Sequence, residues 1–274
     1  MNFILGASGL IGTAMTNLIE KKELTFVPKN EYMSWSSPEN LRCFVEKMSI
    51  TEQDTFYVCA GITNPNAELT QLILLNTQIP LILLEQSIYS RFKVVTFGTF
   101  HENFNFNNQY IMSKKKFLRN ALNLNGNLNH RHFQLHTAYG IHEPKVHLLL
   151  GKIYWAIKNN VPLQMSRGTQ FREYWHAIDI ARFVKSRNWD ENCARITSVS
   201  SGEPIQLREL ALAIFDHFSA HNLLNLASIP DQSNETYNKG MFQQTDNAAG
   251  FMRDPIRGVL DYLENHLNGG VYAK

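Results

Sequence analysis

Cysteine is scarce in this sequence: three occur in 274 residues (Cys43, Cys59 and Cys193), and no two form a Cys-x-x-Cys pair. So few thiols exclude a disulfide framework and argue against a cysteine-based metal site, and they point to a reducing compartment. An excess of charge of one sign is also missing. Lysine and arginine number 26 against 24 acidic residues, a net charge of +2, and the basic residues are scattered rather than striped. A nucleic-acid or membrane-surface role is not suggested by that balance. Long hydrophobic runs are absent too. The most apolar stretch, LTQLILLNTQIPLILL at 69–84, is interrupted by Asn76 and Pro80 and is too short to span a bilayer. The opening MNFILGASGL has no basic n-region and only a short apolar run, so it does not read as a signal peptide. No internal repeat or low-complexity segment is evident. With 44% hydrophobic and 18% charged residues, the expectation is a soluble cytoplasmic protein of one large domain or two unequal ones.

The first thirty residues carry the first positive signal. NFILGASGLIGTAMTNLIEKK reads as a short apolar strand, a glycine-punctuated turn and an amphipathic helix. Gly6, Gly9 and Gly12 stand in a G-x-x-G-x-x-G pattern. Glycines there permit a tight turn, close approach of the backbone to a pyrophosphate, and close helix–strand packing. The helix N-terminus then faces phosphate charge. The expected cofactor-binding residues are Gly6, Ser8, Gly9, Leu10, Ile11 and Gly12. A second strand should end in LTFVPKN at 24–30, where an acidic residue would suit NAD and a basic one the 2′-phosphate of NADP. The strand end offers Lys29 with Glu31 just beyond, so NADP is favoured over NAD; the bland alternative is a solvated loop lysine.

Strand and helix signals then alternate. TFYVCAGI (55–62) is a strand closing in a small-residue turn with Ala60 and Gly61, 68–90 is mostly helical, and FKVVTF (92–97) is a strand. A helix at 108–122 and a strand at HFQLHTAYG (132–140) follow. Such alternation implies an α/β Rossmann-type doubly wound parallel sheet, whose ligands bind at the carboxyl ends of the strands. The expected division is a dinucleotide-binding domain over 1–140, with about 174–200 returning to it, and a smaller, partly interleaved substrate lobe over 141–274. The pattern becomes less regular past 141, and 226–255 is loop-like.

Three tyrosines precede a lysine by four residues: Tyr89/Lys93, Tyr110/Lys114 and Tyr154/Lys158. On a helix this spacing puts both side chains on one face, and an ammonium near a phenol favours the phenolate, lowering its pKa from about 10. Only Tyr110 opens a helix directly after a strand that delivers a hydroxyl, Thr96, fourteen residues earlier. His130, His132 and His136 alternate, which would put all three on one strand face as metal ligands; the bland reading is a histidine-rich strand edge, and no metal is expected.

These residues resemble the extended short-chain dehydrogenase/reductase family, in particular its nucleotide-sugar branch. GASGLIG (6–12) is similar to the cofactor turn, CAG (59–61) to its Asn-Ala-Ala-Gly-like turn, and YIMSK (110–114) to its tyrosine–lysine motif. TAYGIHEP (137–144), GTQFREYWHAIDIARFV (168–184) and SSGEPIQLREL follow in family order, so the resemblance covers roughly residues 1–215. It implies that Tyr110 exchanges the proton at the substrate oxygen and that Lys114 binds the nicotinamide ribose. Thr96, with Thr99 as fallback, would hydrogen-bond the same oxygen. Arg172 would bind a diphosphate, unless it forms a surface ion pair with Glu173. Thr99, His101 and His142 would line the sugar pocket. Phe97 and Gly98 follow Thr96 where 4,6-dehydratases carry an acid–base Asp-Glu pair, and no cysteine lies between 59 and 193 for a 3,5-epimerisation. What the resemblance leaves is an NADPH-dependent 4-keto reductase of nucleotide-linked 6-deoxy sugars, in deoxysugar and surface polysaccharide (O-antigen) biosynthesis. It resembles abequose and paratose synthases and dehydrorhamnose reductase. A 4-epimerase with tightly held NAD and a non-catalytic dinucleotide-binding subunit are the alternatives. The family's habit of pairing helices equivalent to 68–90 and 108–122 implies a homodimer.

Overall fold

The computed structural model describes all residues except 65, 105–107, 126–128, 188, 190–193, 232–237, 246, 247 and 270–274. Cys193 and part of the loop-like 226–255 stretch therefore lie outside the described residues.

In chain order the strands and helices begin with β1 (Asn2–Leu5), α1 (Leu10–Leu18), β2 (Leu24–Val27), α2 (Lys29–Ser34), α3 (Pro38–Lys47) and β3 (Thr55–Val58). Next come α4 (Leu69–Ile73), a π turn over Leu74–Gln78, α5 (Ile79–Ser90), β4 (Lys93–Thr99), α6 (Gln109–Leu122), β5 (His130–Leu135) and β6 (Thr137–Tyr139). The remainder is α7 (Leu149–Asn159), β7 (Leu163–Gln164), β8 (Phe171–Arg172), β9 (Tyr174–His176), α8 (Ala177–Arg187), β10 (Ile196–Val199), β11 (Ile205–Gln206), α9 (Leu207–His217), β12 (Leu224–Asn225) and α10 (Pro255–Leu267). The chain divides into two compact units, Met1–Leu135 with Ala181–Ser198, and His136–Ile180 with Val199–Lys274.

The first unit holds a six-stranded sheet in the order β10-β5-β4-β3-β1-β2, with parallel pairing of β1 to β2 and β3, β3 to β4, and β4 to β5. This is the doubly wound sheet that the alternation implied. Short apolar strands suit it, because helices cover both faces and every position must be buried; all four residues of β3 are. The core is unusually aromatic on one face: Phe3 stacks on Phe56 at 4.8 Å, and Trp35, Phe44 and Phe92 pack around them. Strand order reverses at β1, which has β2 on one side and β3 on the other. Ligand crevices of such sheets open at that switch point.

Three local features depart from the sequence expectation. The helix over 68–90 is interrupted by the π turn, which turns Asn76 and Thr77 inward and buries both. Helices α2 and α3 fill the interval between β2 and β3, where the sequence reading set no element. The strand expected at 132–140 is two strands: β5 lies in the six-stranded sheet, and β6 pairs parallel with β9 in the second unit. HFQLHTAYG is strand-like throughout, and only the available partners decide where it is cut. His136 falls at the cut, so His130, His132 and His136 do not share one strand, and no group of three metal-binding side chains occurs among the described residues.

The second unit has short ladders, β6–β9, β7–β12 and β8–β11, around its own core. Ile153 and Tyr154 of α7, Leu210, Ile214 and Phe215 of α9, and Val259 and Leu263 of α10 form that core. Asp179, at the start of α8, is buried and receives Nε and Nη2 of Arg253 at 2.6 and 2.9 Å.

Candidate active site

The turn after β1 and the turn after β3 face one cavity of about 410 Å³, lined by Gly6, Ser8, Gly9, Lys29, Cys59, Ala60, Gly61, Ile62 and neighbouring side chains of α2 and α4. Gly6 has φ +76°, and a Cβ there would lie 2.6 Å from the Ala60 backbone; at Gly12 a Cβ would lie 2.1 Å from the Gly6 carbonyl oxygen. Both positions therefore require glycine. Gly9 starts α1 without a side-chain cap, so the first turn, with Leu10, Ile11 and Gly12, keeps amide donors and the positive helix end for a ligand's phosphates. The residues thus fit a dinucleotide. Lys29, exposed on the first turn of α2, lines the same cavity, while the Glu31 carboxylate accepts from the Trp35 indole at 3.3 Å.

Tyr110 is the second residue of α6. Asn108 caps that helix, its side-chain oxygen accepting from the amides of Tyr110 and Ile111 at 2.9 and 3.3 Å. One turn on, the Lys114 ammonium donates to the Phe97 carbonyl at 2.9 Å. It also reaches Gly61: a Cβ built on that glycine would lie 3.4 Å from Nζ. Lys115 donates instead to the Phe104 carbonyl at 3.2 Å, and Lys116 is exposed. Of the other tyrosines at this spacing, Tyr89 is 82% exposed. Tyr154 does meet its lysine: Lys158 donates to the phenol oxygen at 2.7 Å, and the phenol donates to Glu143 at 2.9 Å. That trio belongs to the second unit and lines no part of the glycine-turn cavity.

The structure separates the two threonines of β4. Side chains three positions apart on a strand point to opposite faces. Thr96 is buried within a chain of ring nitrogens, 2.8 Å from Nε2 of His130 and 2.8 Å from Nδ1 of His132, whose Nε2 meets Glu102 at 3.0 Å. A carboxylate only accepts, so His132 donates to Glu102 from Nε2, and the Thr96 hydroxyl bridges the facing ring nitrogens of His130 and His132. The Thr96 hydroxyl is thereby committed. Thr99, at the strand's end, hydrogen-bonds the Tyr110 phenol instead. The expectation that Thr96 partners Tyr110 is corrected to Thr99, and the residues following the partner become Phe100 and His101, still not an Asp-Glu pair.

Glu102 is the feature that sequence reasoning missed. It is buried, and it also accepts from the Thr99 amide and from Gln134, each at 3.1 Å. Burial works to raise its pKa, but these hydrogen bonds and the nearby His132 outweigh it and hold the carboxyl below the usual range. Gly98 makes room for it, since a Cβ there would lie 2.3 Å from His132 Nε2 and 2.4 Å from Glu102 Oε1. Its field reaches the candidate pair. Burial and Glu102 push the Tyr110 phenol up, with Thr99 opposing. Burial pulls the Lys114 ammonium down, while Glu102 and Cys59 support its charge. The expected lowering of the tyrosine pKa by Lys114 is therefore reversed in this structure, because burial of the phenol, with the Glu102 carboxylate adding to it, disfavours the phenolate.

Asn76 was also unforeseen. Its side chain accepts from the Ile62 amide at 3.0 Å and donates to the Ile62 carbonyl at 2.9 Å and to the Ser113 hydroxyl at 3.0 Å; Thr77 donates to the Ser113 carbonyl at 2.8 Å. The π turn thus ties the loop after β3 to α6. The only sequence signal was a polar pair inside an apolar run.

Arg172 and His142 lie in the second unit. Arg172, half-buried on β8, donates from Nη1 to the Phe171 carbonyl at 2.9 Å and helps to keep His136 neutral. Glu173 is no surface partner for it: buried, it receives the Trp175 indole, the Ser200 hydroxyl and the amides of Ser201 and Gly202 at 2.7 to 3.0 Å. His142 is exposed, and its carbonyl accepts from Tyr262 at 2.7 Å. His101 is half-buried beside Thr99.

No protein-family profile and no curated protein sequence matches the chain. Solved structures do. MoeE5 in complex with UDP-glucuronic acid and NAD is similar over 98% of this chain and 99% of its own, at 14% identity and a TM-score of 0.75. A UDP-N-acetylglucosamine 4-epimerase from Methanobrevibacter ruminantium is similar over 98% of each chain, at 14% identity and a TM-score of 0.75. A dTDP-4-dehydrorhamnose reductase from Clostridium acetobutylicum is similar over 96% of this chain and 98% of its own, at 13% identity and a TM-score of 0.73. At such identities the likeness establishes a shared fold.

Proposed function

We propose that this chain is a member of the nucleotide-sugar branch of the extended short-chain dehydrogenase/reductases and acts as an NADPH-dependent reductase of a nucleotide-linked 4-keto-6-deoxy sugar. The observation that carries this reading is the Thr99–Tyr110–Lys114 set at the strand ends beside the glycine-turn cavity, with Phe100 and His101 where an acid–base carboxylate pair would be needed for dehydration. Gly6, Ser8, Gly9, the first turn of α1, Ala60 and Gly61 would hold the dinucleotide, and Lys29 would face its 2′-phosphate. When bound, the cofactor supplies hydride to the carbonyl carbon. Tyr110, kept protonated through neutral pH by burial and Glu102, gives its proton to the carbonyl oxygen, which Thr99 also hydrogen-bonds. Lys114 positions the nicotinamide ribose. Arg172 of the second unit offers a guanidinium fork to the substrate diphosphate, and that unit is the substrate-binding lobe. Cytoplasmic location and homodimerisation belong to the same reading.

A second reading, 4-epimerisation with retained NAD, draws on the similar epimerase and on the NAD in the MoeE5 complex. Oxidation of NADPH by CDP-, dTDP-, GDP- or UDP-linked 4-keto-6-deoxy sugars tests the first reading. NAD released on denaturing the purified protein, together with interconversion of UDP-hexoses without added cofactor, would replace it by the second.

A further inference from the structure

The 3₁₀ turn that follows β4, Phe100–Asn103, brings an imidazole to the Thr99 hydroxyl. His101 Nδ1 lies 3.0 Å from Thr99 Oγ1, and the His101 amide donates to the same oxygen at 3.3 Å. Thr99 in turn hydrogen-bonds the Tyr110 phenol. A hydroxyl with one donor and two acceptor sites can pass a proton along such a row, taking it on one side and giving it on the other. His101 is partly exposed, whereas its neighbour Glu102 is buried and bound to His132, Gln134 and the Thr99 amide. Imidazole is also the side chain whose ordinary pKa lies nearest neutrality, so it exchanges protons with water readily in both directions.

We infer that His101 reprotonates Tyr110 through Thr99 after each turnover, connecting the half-buried phenol to solvent. The proposal rests on the keto-reductase reading. Each ketone reduced consumes one hydride and one proton, and the proton leaves Tyr110 as a new O–H bond on the substrate. The phenolate takes the Thr99 hydroxyl proton, Thr99 takes the Nδ1 proton of the His101 imidazolium, and neutral His101 recovers a proton from water or buffer. No charge accumulates on the enzyme. His101 acts through Thr99 and touches no reacting atom, so it is a relay residue and not a catalytic one.

The test has two arms. In the cofactor-free protein, NMR of the histidine ring nitrogens should show the His101 Nδ1 signal displaced by Thr99→Val, because its hydrogen-bond partner is gone; an unmoved signal overturns the relay whatever the substrate. In turnover, His101→Ala and His101→Asn should both lower kcat at least about tenfold with KM for NADPH changed less than about twofold. Asparagine can hydrogen-bond Thr99 but cannot carry the proton. Added imidazole should recover most of the loss in His101→Ala. A loss that imidazole leaves untouched, or full activity in His101→Asn, overturns the relay and leaves the reductase reading standing. A wild-type protein that reduces no keto sugar removes that reading and the relay with it.

Discussion

Replacing Tyr110 by phenylalanine keeps the ring and removes the proton, so turnover should fall at least about a hundredfold while NADPH binding, followed by fluorescence titration, stays nearly intact. Lys114→Ala should harm both, since in the proposed mechanism the ammonium serves cofactor and proton donor alike. The two threonines separate chemistry from architecture. Thr99→Val should cost turnover, with a stability loss of about 0.5–2 kcal/mol from the lost cap on the 3₁₀ turn. Thr96→Val leaves His130 and His132 without their shared hydroxyl, and should lower stability by about 1–3 kcal/mol in chemical denaturation, with the active fraction turning over normally. The opposite pattern would restore Thr96 as the phenol's partner. Glu102→Gln removes a buried negative charge that raises the pKa values of both Tyr110 and Lys114. The alkaline limb of the kcat profile should therefore move to lower pH. A limb that stays in place would show that the carboxylate does not act on the pair. At the start of α2, Lys29→Asp should shift preference from NADPH toward NADH; an unchanged ratio of kcat/KM values would mean that another residue discriminates.

At the scale of elements, the π turn between α4 and α5 is the joint that ties the loop after β3 to α6. Asn76 is fully buried and makes three side-chain hydrogen bonds, two to the Ile62 backbone and one to Ser113 of α6. Asn76→Leu is nearly the same size but leaves those groups unsatisfied, a cost of about 1–3 kcal/mol for each group left unpaired. A lower melting midpoint is expected together with reduced turnover, because the loop after β3 and the helix bearing Tyr110 lose their tie. Lowered stability with unchanged kcat would mean that the tie holds the fold without placing the phenol. The helices flanking this joint are apolar enough over Leu69–Ser90 to cross a membrane by length and composition, yet Leu72, Ile79, Leu83 and Leu84 are buried in the first unit. The half-buried remainder of that face is where a second copy would pack in the proposed dimer.

For the whole molecule, pH dependence follows from histidines that the fold holds in the neutral state. Burial lowers His130 well below its ordinary 6.5, with His132 and two arginines adding to the effect, and burial together with Arg172 lowers His136 to about 3. The unfolded chain takes up protons at these rings near pH 6.5 that the folded chain refuses, so it binds more protons as pH falls. Stability is therefore full above about pH 6.5 and declines below it. Glu102, whose folded pKa is lowered, adds a further loss as pH drops beneath its ordinary 4.5 toward the folded value. The melting midpoint should fall between about pH 7 and pH 5, and His136→Gln should flatten that slope. A midpoint that is constant over this interval would mean that both rings titrate normally in the folded protein. Light scattering at micromolar concentration checks the dimer.

The α/β class, the glycine turn and the helix beginning at Tyr110 were legible in the sequence, because each depends on local chemistry. Gly6 and Gly12 are needed where backbones almost touch, Asn108 caps α6 through its own next amides, and apolar strands alternate with amphipathic helices. The spacing of Tyr110 and Lys114 was legible also, although Tyr154 and Lys158 have the same spacing and a closer contact. What the sequence left open depends on groups far apart in the chain. Glu102 meets His132 thirty residues on, and Asn76 meets Ser113 thirty-seven residues on. The cut at His136 depends on which strands are free to pair on either side. Thr96 and Thr99 are alike in sequence chemistry, and only the sheet's faces assign one to a histidine chain and the other to the phenol. Local propensity fixes where an element begins; the burial of polar groups, each of which must find a partner, fixes which side chains meet.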